Sequence, residues 1–401
     1  MAPVLNLIGM ALVIGVMFLF SNAKRKIRWP MIIKALIAQV VLCVILIKVP
    51  AGIMVIEKIS DFVMAILNYG RVGLEFVFGS LMDTEKSGFI FLFQVLTNLI
   101  FFGALVSVLY YLGILTLVIR IIGVGVGKLL GTTKVESFVT VANMFLGQTE
   151  SPLLISKYLN RMTTSEIFVV VVAGMGSMSV SILGGYNALG IPMNFLILGC
   201  TLIPFGSIAM SKILFPEIEK VAETEKLEID RKSCGVNLID ALGNGAMDGL
   251  KLVSALIAAL VAIVALVAIV NGLISPLGVT LEQIFSWLFY PLSFFMGLSD
   301  KFTELGAGLL GSKLIMNEFI AFSDLAPYLL DMDYRTQAVL CIAIAGFANV
   351  GSMAVCVASI GTLVKEKKQL LAKIIGKALL GAFSLNLFNS FLVGFVLSFG
   401  Y

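Results

Sequence analysis

The chain has 401 residues, of which 59% are hydrophobic and only 13% charged, and its 28 Lys and Arg against 24 Asp and Glu leave a net charge of +4. Soluble domains carry roughly 25% charged residues, so this composition excludes an ordinary soluble protein and points to one whose surface meets lipid. The basic residues cluster between apolar runs and form no stripe with interleaved aromatics, which argues against a nucleic-acid partner, and the absence of histidine removes histidine proton relays and metal sites.

Apolar runs long enough to cross a bilayer lie near residues 4–20, 32–50, 89–119, 164–187, 192–215, 249–273, 337–362 and 374–400, which predicts eight transmembrane helices. The first reads as a retained span, because Lys24, Arg25, Lys26 and Arg28 follow its apolar core, whereas a signal peptide carries its charges ahead. Placing that basic loop in the cytoplasm puts the N-terminus outside. Alternation then puts Lys128, Lys134, the stretch from Lys212 to Lys232 and the cluster Lys365, Lys367, Lys368 inside, with the acidic stretch from Ser323 to Asp333 and the C-terminus outside.

This alternation requires two semi-polar regions, about 135–162 and 299–325, to enter and leave the membrane on the same side as re-entrant hairpins. Each is broken by glycine and polar residues, and each precedes two full spans. The expected fold is an all-α polytopic membrane protein with eight transmembrane helices plus two re-entrant helical hairpins in an inverted repeat. Residues 1–134 form scaffold spans and interfacial helices, and 135–215 the first hairpin with two spans. Residues 216–298 form a cytoplasmic linker, a scaffold span and an interfacial helix, and 299–401 the second hairpin with two spans. The stretch from Glu57 to Arg71 is expected along the outer surface and that from Asn237 to Lys251 along the inner one. The stretch from Glu217 to Asp230 reads as a solvated linker without chemistry. The scattered cysteines, Cys43, Cys200, Cys234, Cys341 and Cys356, read as small core residues.

Polar groups inside apolar regions carry the chemistry. In the first hairpin, the run from Asn143 to Pro152 (NMFLGQTESP) has Gly147 and Pro152 to interrupt a helix at its tip. There Gln148 and Thr149 offer donors and acceptors and Glu150 acceptors only, a set suited to the amide-like edge of a nucleobase. A packing motif or a solvated loop is the alternative, but a carboxylate at bilayer depth costs about 2.5–3.5 kcal/mol. The second hairpin carries Glu318 in the run from Lys313 to Phe319 (KLIMNEF), where one carboxylate can accept from two neighbouring hydroxyls; a structural ion pair with Lys313 is the alternative. The following span holds Gly346 to Ser352 (GFANVGS), in which Asn349 and Ser352 share a helix face and either complete a sugar site or mediate helix packing. The matching span of the first repeat holds Gly174 to Ser179 (GMGSMS), whose hydroxyls and freed carbonyls, with Asn143, offer the oxygen shell a sodium ion requires.

Three of these strings, GQTESP, NEF and GFANVGS, in this order and with Glu136-Ser-Phe138 ahead of the first, closely resemble the concentrative nucleoside transporters, the bacterial short form in particular, over nearly the whole chain. The resemblance implies that Gln148, Thr149 and Glu150 contact the base with Ile182 beside it, and that Glu318, Asn349 and Ser352 hold the ribose beside Phe347. It implies a sodium site from Asn143, Ser177 and the backbone around Val172 and Met178, with sodium as coupling ion and no other cofactor. It also implies a homotrimer in the cytoplasmic membrane, surrounded by lipid, in which a fixed scaffold supports two hairpin repeats that move as a unit. The expected function is sodium-driven symport of purine or pyrimidine nucleosides, with proton coupling as the alternative. An intramembrane enzyme using Glu150 and Glu318 lacks a recognisable nucleophile motif, and a passive channel needs a continuous polar path.

Overall fold

A computed structural model describes residues 1–222 and 235–400, so Cys234 and most of the stretch expected as a solvated linker lie outside the described residues. Every regular element among the described residues is helical. Several helices begin where a proline sits in the first turn, at Pro3, Pro30, Pro50 and Pro204, because that position needs no N–H and suits the ring's fixed φ.

Helices α1 (Ala2–Leu19) and α2 (Trp29–Lys48) flank the first basic loop. The mixed stretch around Glu57 is part of one 29-residue helix, α3 (Pro50–Phe78), whose buried residues Gly52, Ile56, Ser60, Leu67, Gly70 and Leu74 recur at helical spacing and form one stripe. The expected run 89–119 is divided. A π-helical turn, Leu92–Leu96, leads into α4 (Asn98–Tyr111), which ends where Gly113 takes a φ of +78°, and α5 (Ile114–Leu130) starts a separate helix.

The first repeat opens with α6 (Lys134–Ala142), a non-helical tip at 143–150, and two short turns, Ser151–Leu154 and Ser156–Leu159. Helices α7 (Thr164–Gly176) and α8 (Val180–Ala188) follow, separated at 177–179, then α9 (Met193–Thr201) and α10 (Ile203–Leu214), bent by 46°. Helix α11 (Leu238–Ile274) corrects one expectation: the stretch from Asn237 to Lys251 is not a separate surface helix but the start of a continuous 37-residue one. Its glycines do not break it because they serve a close crossing with α4, where a Cβ on Gly245 would lie 2.4 Å from the Gly103 carbonyl oxygen and one on Gly249 2.4 Å from that of Leu99.

After α12 (Leu281–Phe294), the second repeat runs through α13 (Asp300–Ile315), a tip at Met316 and Asn317, and α14 (Glu318–Leu325). Helices α15 (Tyr334–Ile344) and α16 (Val350–Leu363), separated at 345–349, precede the last helix, α17 (Lys368–Leu397). By length and apolarity six helices among the described residues can cross a membrane, or seven with the bent pair. The remaining expected span, 337–362, the seventh in chain order, is cut by its break into two pieces that are each too short alone. Burial is uneven: the most apolar window of Thr164–Ala188 is 94% buried, whereas that of Leu238–Leu277 is 6% buried.

The base of the first hairpin is fixed by polar contacts. Thr133 with Glu136 and Thr163 with Glu166 form capping boxes at the starts of α6 and α7, and Thr133 Oγ1 donates to Glu166 Oε1 at 2.9 Å. Buried Lys212 pairs with Glu136 and donates to Ser165 Oγ at 2.8 Å. Glu217 also faces Lys212, at 3.5 Å, and accepts from Thr163 Oγ1 at 2.8 Å. The expected solvated linker therefore begins with a buried carboxylate, because the desolvated ammonium of Lys212 requires acceptors that local sequence does not reveal.

The α4–α11 crossing has no room for a side chain. Gly249→Leu is expected to cost about 1–3 kcal/mol or more through overpacking, read as a lower thermal unfolding midpoint of the purified protein; an unchanged midpoint would contradict the close approach.

Candidate functional site

The two helix breaks meet in the interior. Phe347 N donates to the Ser177 carbonyl at 3.1 Å, joining one unwound segment to the other. Gly346 has a φ of +106°, and a Cβ there would sit 2.5 Å from the Gly176 carbonyl oxygen, so only glycine permits this contact. Asn386 of α17 donates to that same Gly176 oxygen at 2.8 Å, and Val180 N donates to the Phe145 carbonyl at 2.9 Å, tying the first hairpin tip to the start of α8.

A chain of side-chain hydrogen bonds runs across this meeting point. Tyr186 Oη donates to Glu318 Oε1 at 3.0 Å, and Asn349 Nδ2 donates to Glu318 Oε2 at 3.1 Å. Asn349 Oδ1 caps α16 by accepting from Ser352 N at 2.8 Å, while Ser352 Oγ accepts from Gln148 Nε2 at 3.1 Å. Cys356 Sγ donates to Gln148 Oε1 at 3.1 Å. Gln148 from the first hairpin thus joins Glu318, Asn349 and Ser352 from the second repeat in one buried network. Glu318 and Asn349 both stand at helix N-termini, where the helix dipole favours acceptor oxygens.

The other expected substrate residues surround this network. Thr149 is exposed at the tip, and Glu150, half-buried, accepts from Gly147 N at 3.2 Å. The Phe347 ring lies over Gly147, where a Cβ would be 3.3 Å from it, and Ile182 is buried in the first turn of α8. The arrangement places acceptor oxygens, amide groups and aromatic surface together, which matches a ligand carrying hydroxyls and a flat polar ring.

The expected cation residues lie behind the tip. Asn143 is fully buried; its Nδ2 donates to the Val139 carbonyl and its Oδ1 accepts from Ser151 Oγ, each at 2.9 Å. Ser177, also fully buried, donates to the Gly174 carbonyl at 3.1 Å. A Cβ on Gly174 would lie 3.8 Å from Asn143 Oδ1, so the end of α7 abuts the hairpin. Val172 sits within α7 just before its last turn, with its side chain against Gly381 of α17. Met178 lies in the break and points toward Gly199 of α9. Only the backbone oxygens of these two face the question of a cation, and all the donors of the set are neutral oxygens.

One alternative is corrected. Lys313 and Glu318 do not pair: Lys313 Nζ is taken by the carbonyls of Ala343 and Ala345 and by Asn386, and the Glu318 oxygens are taken by Tyr186 and Asn349. Sequence reasoning missed Tyr186, Cys356 and Asn386. Each is a polar or polarisable group inside an apolar span, and the run SLNLFNS in α17 carries the same signal that marked the hairpins.

Comparison with known proteins covers the whole chain. Residues 8–81, 92–193 and 195–394 match, in turn, the family models described as Na+ dependent nucleoside transporter N-terminus, nucleoside recognition, and Na+ dependent nucleoside transporter C-terminus. The chain is 34% identical over 406 residues to the nucleoside permease NupC of Helicobacter pylori, spanning 97% of this chain and 96% of that one. It is 34% identical over 414 residues to an uncharacterized transporter of Haemophilus influenzae, spanning 100% and 99%. It superimposes on the structure of CNTnw in an inward-facing substrate-bound state with a TM-score of 0.95 at 33% identity, over 100% and 99% of the two chains.

Tyr186→Phe leaves buried Glu318 without one donor, which costs about 1–3 kcal/mol, so the thermal midpoint should fall. Thr149→Val at the exposed tip should leave it within about 0.5 kcal/mol of wild type. Equal midpoints for both variants would show that the Tyr186 hydroxyl does not support the network.

Proposed function

The chain belongs to the Na+-dependent nucleoside transporter family, and from that membership we propose that it is a secondary active symporter importing nucleosides across the cytoplasmic membrane on a sodium gradient. That it is a membrane transporter for nucleosides and not an enzyme follows from the family. The observation that carries the finer reading is the hydrogen-bond chain from Gln148 through Ser352 and Asn349 to Glu318, which spans both repeats. A molecule bound against it touches both hairpins at once.

In this reading Gln148, Thr149 and Glu150 hold the base with Ile182 packed beside it, and Glu318, Asn349 and Ser352 hold the ribose beside Phe347. Glu318 can only accept when ionised, so a ribose hydroxyl replaces the Tyr186 or Asn349 hydrogen as its partner, and charged acceptors give roughly twice the strength of neutral ones. Sodium is held by Asn143, Ser177 and the carbonyls near Val172 and Met178. It orders the tip that carries Gln148 to Glu150, and this shared element couples ion to substrate. The nucleoside is neutral, so the ion alone responds to voltage, at about 2.3 kcal/mol per 100 mV.

Both termini face outward, and the protein works as a homotrimer in which the hairpin repeats move against the scaffold. Supporting this, α11 exposes nearly its whole apolar length, a surface that either lipid or other copies of the chain must cover.

Radiolabelled uridine and adenosine uptake into proteoliposomes tests the reading. An inward sodium gradient should drive accumulation, Glu318→Gln should reduce it by about a hundredfold through two lost charged hydrogen bonds, and Asn143→Ala should respond only weakly to sodium. Accumulation that follows a proton gradient and ignores sodium would remove the sodium site and leave the substrate site.

A further inference from the structure

Lys313 is fully buried in the second hairpin, and its ammonium group is held by three neutral oxygens: the carbonyls of Ala343 at 3.0 Å and Ala345 at 3.1 Å, and Asn386 Oδ1 at 2.7 Å. The Phe383 ring closes a further side, with its centre 5.7 Å from Nζ. An ion pair would balance this charge with a carboxylate. Here its direct contacts are oxygen dipoles, including the negative end of α15, as those of a bound hard cation are.

The placement repeats that of Asn143. Asn143 ends the first arm of hairpin one and faces the C-terminal end of α7, just before that span unwinds. Lys313 stands in the last turn of the first arm of hairpin two and binds the carbonyls where α15 unwinds. Each break thus has one polar side chain of its own hairpin beside it: Lys313 binds the freed carbonyls directly, whereas Asn143 abuts Gly174 with its own bonds made to Val139 and Ser151.

We propose that Lys313 is a tethered cation, filling in the second repeat the place that an exchangeable sodium ion fills in the first. The comparison between repeats rests on the sodium site proposed above, but the Lys313 cradle stands on its own contacts. The consequence is a division of labour. The second break carries its cation on the chain itself, so hairpin two needs no exchangeable ion, and ion responsiveness is confined to hairpin one. Asn386 links the two, since its Oδ1 accepts from Lys313 while its Nδ2 donates to Gly176 at the first break.

The test is cation rescue of a vacated cradle. Purified wild type, Lys313→Ala and Lys313→Met are unfolded thermally in choline chloride with added sodium, ammonium or methylammonium, and uptake is measured in parallel. Lys313→Ala should lose uptake by about tenfold or more, and ammonium or methylammonium should saturably raise its midpoint by at least about 2 °C and restore part of its transport. Neither cation should raise the wild-type midpoint. Lys313→Met fills the space of the stem without charge, and should be inactive in every salt. Wild-type uptake by Lys313→Met, or a Lys313→Ala protein that no added cation stabilises, including one that aggregates in every salt, would overturn the proposal. Ammonium rescue of Lys313→Ala in a protein whose wild type ignores sodium would overturn the sodium site alone.

Discussion

Two interrupted helices in an interior without bulk water govern this structure. A helix that unwinds at bilayer depth frees N–H and C=O groups that lipid cannot satisfy, at several kcal/mol each. The breaks at 177–179 and 345–349 meet this demand largely from each other and from α17: Phe347 N reaches Ser177, and Asn386 reaches both Gly176 and Lys313. The close approach needs Gly346, because a side chain there would strike the backbone of the other break. These contacts hold the two breaks together, and Gln148 of the first hairpin tip meets Ser352 beyond the second break.

The candidate site consists of capping groups with capacity to spare. Asn349 caps α16 with its oxygen and still has an amide for Glu318; Asn317 caps α14 at Ile320 N, and Glu318 follows it directly. Gln148 uses one amide hydrogen on Ser352 and accepts from Cys356. Such groups are already desolvated and oriented, so a ligand that exchanges one partner for another loses little ordering entropy. The same preorganisation holds the Glu318 carboxyl group: Tyr186 and Asn349 donate to it, and it stands at the N-terminus of α14.

The first hairpin is unevenly held. Its base is tied through Glu136, Glu166, Lys212 and Glu217, whereas at its tip Thr149 is exposed and Glu150 is half-buried. The tip is held from elsewhere, by Gln148 on Ser352 and Cys356 and by the Phe145 carbonyl on Val180 N.

Much of this was legible in the sequence because polar residues in an apolar context are costly and stand out without an alignment. Composition determined the membrane class, and Gly147, Pro152, Gly346 and Asn349 marked where helices must stop. The comparisons bear out the family that GQTESP, NEF and GFANVGS indicate. The sequence did not determine how polar groups pair across helices. Lys313 and Glu318 are five apart and suggest an ion pair, yet Glu318 is met by Tyr186, 132 residues away, and Lys313 by Asn386, 73 residues away. Nor did it show that 238–274 is one helix whose Gly245 and Gly249 fit closely against α4. Local pattern reports which groups require partners; only the packing of distant helices decides which partners they receive.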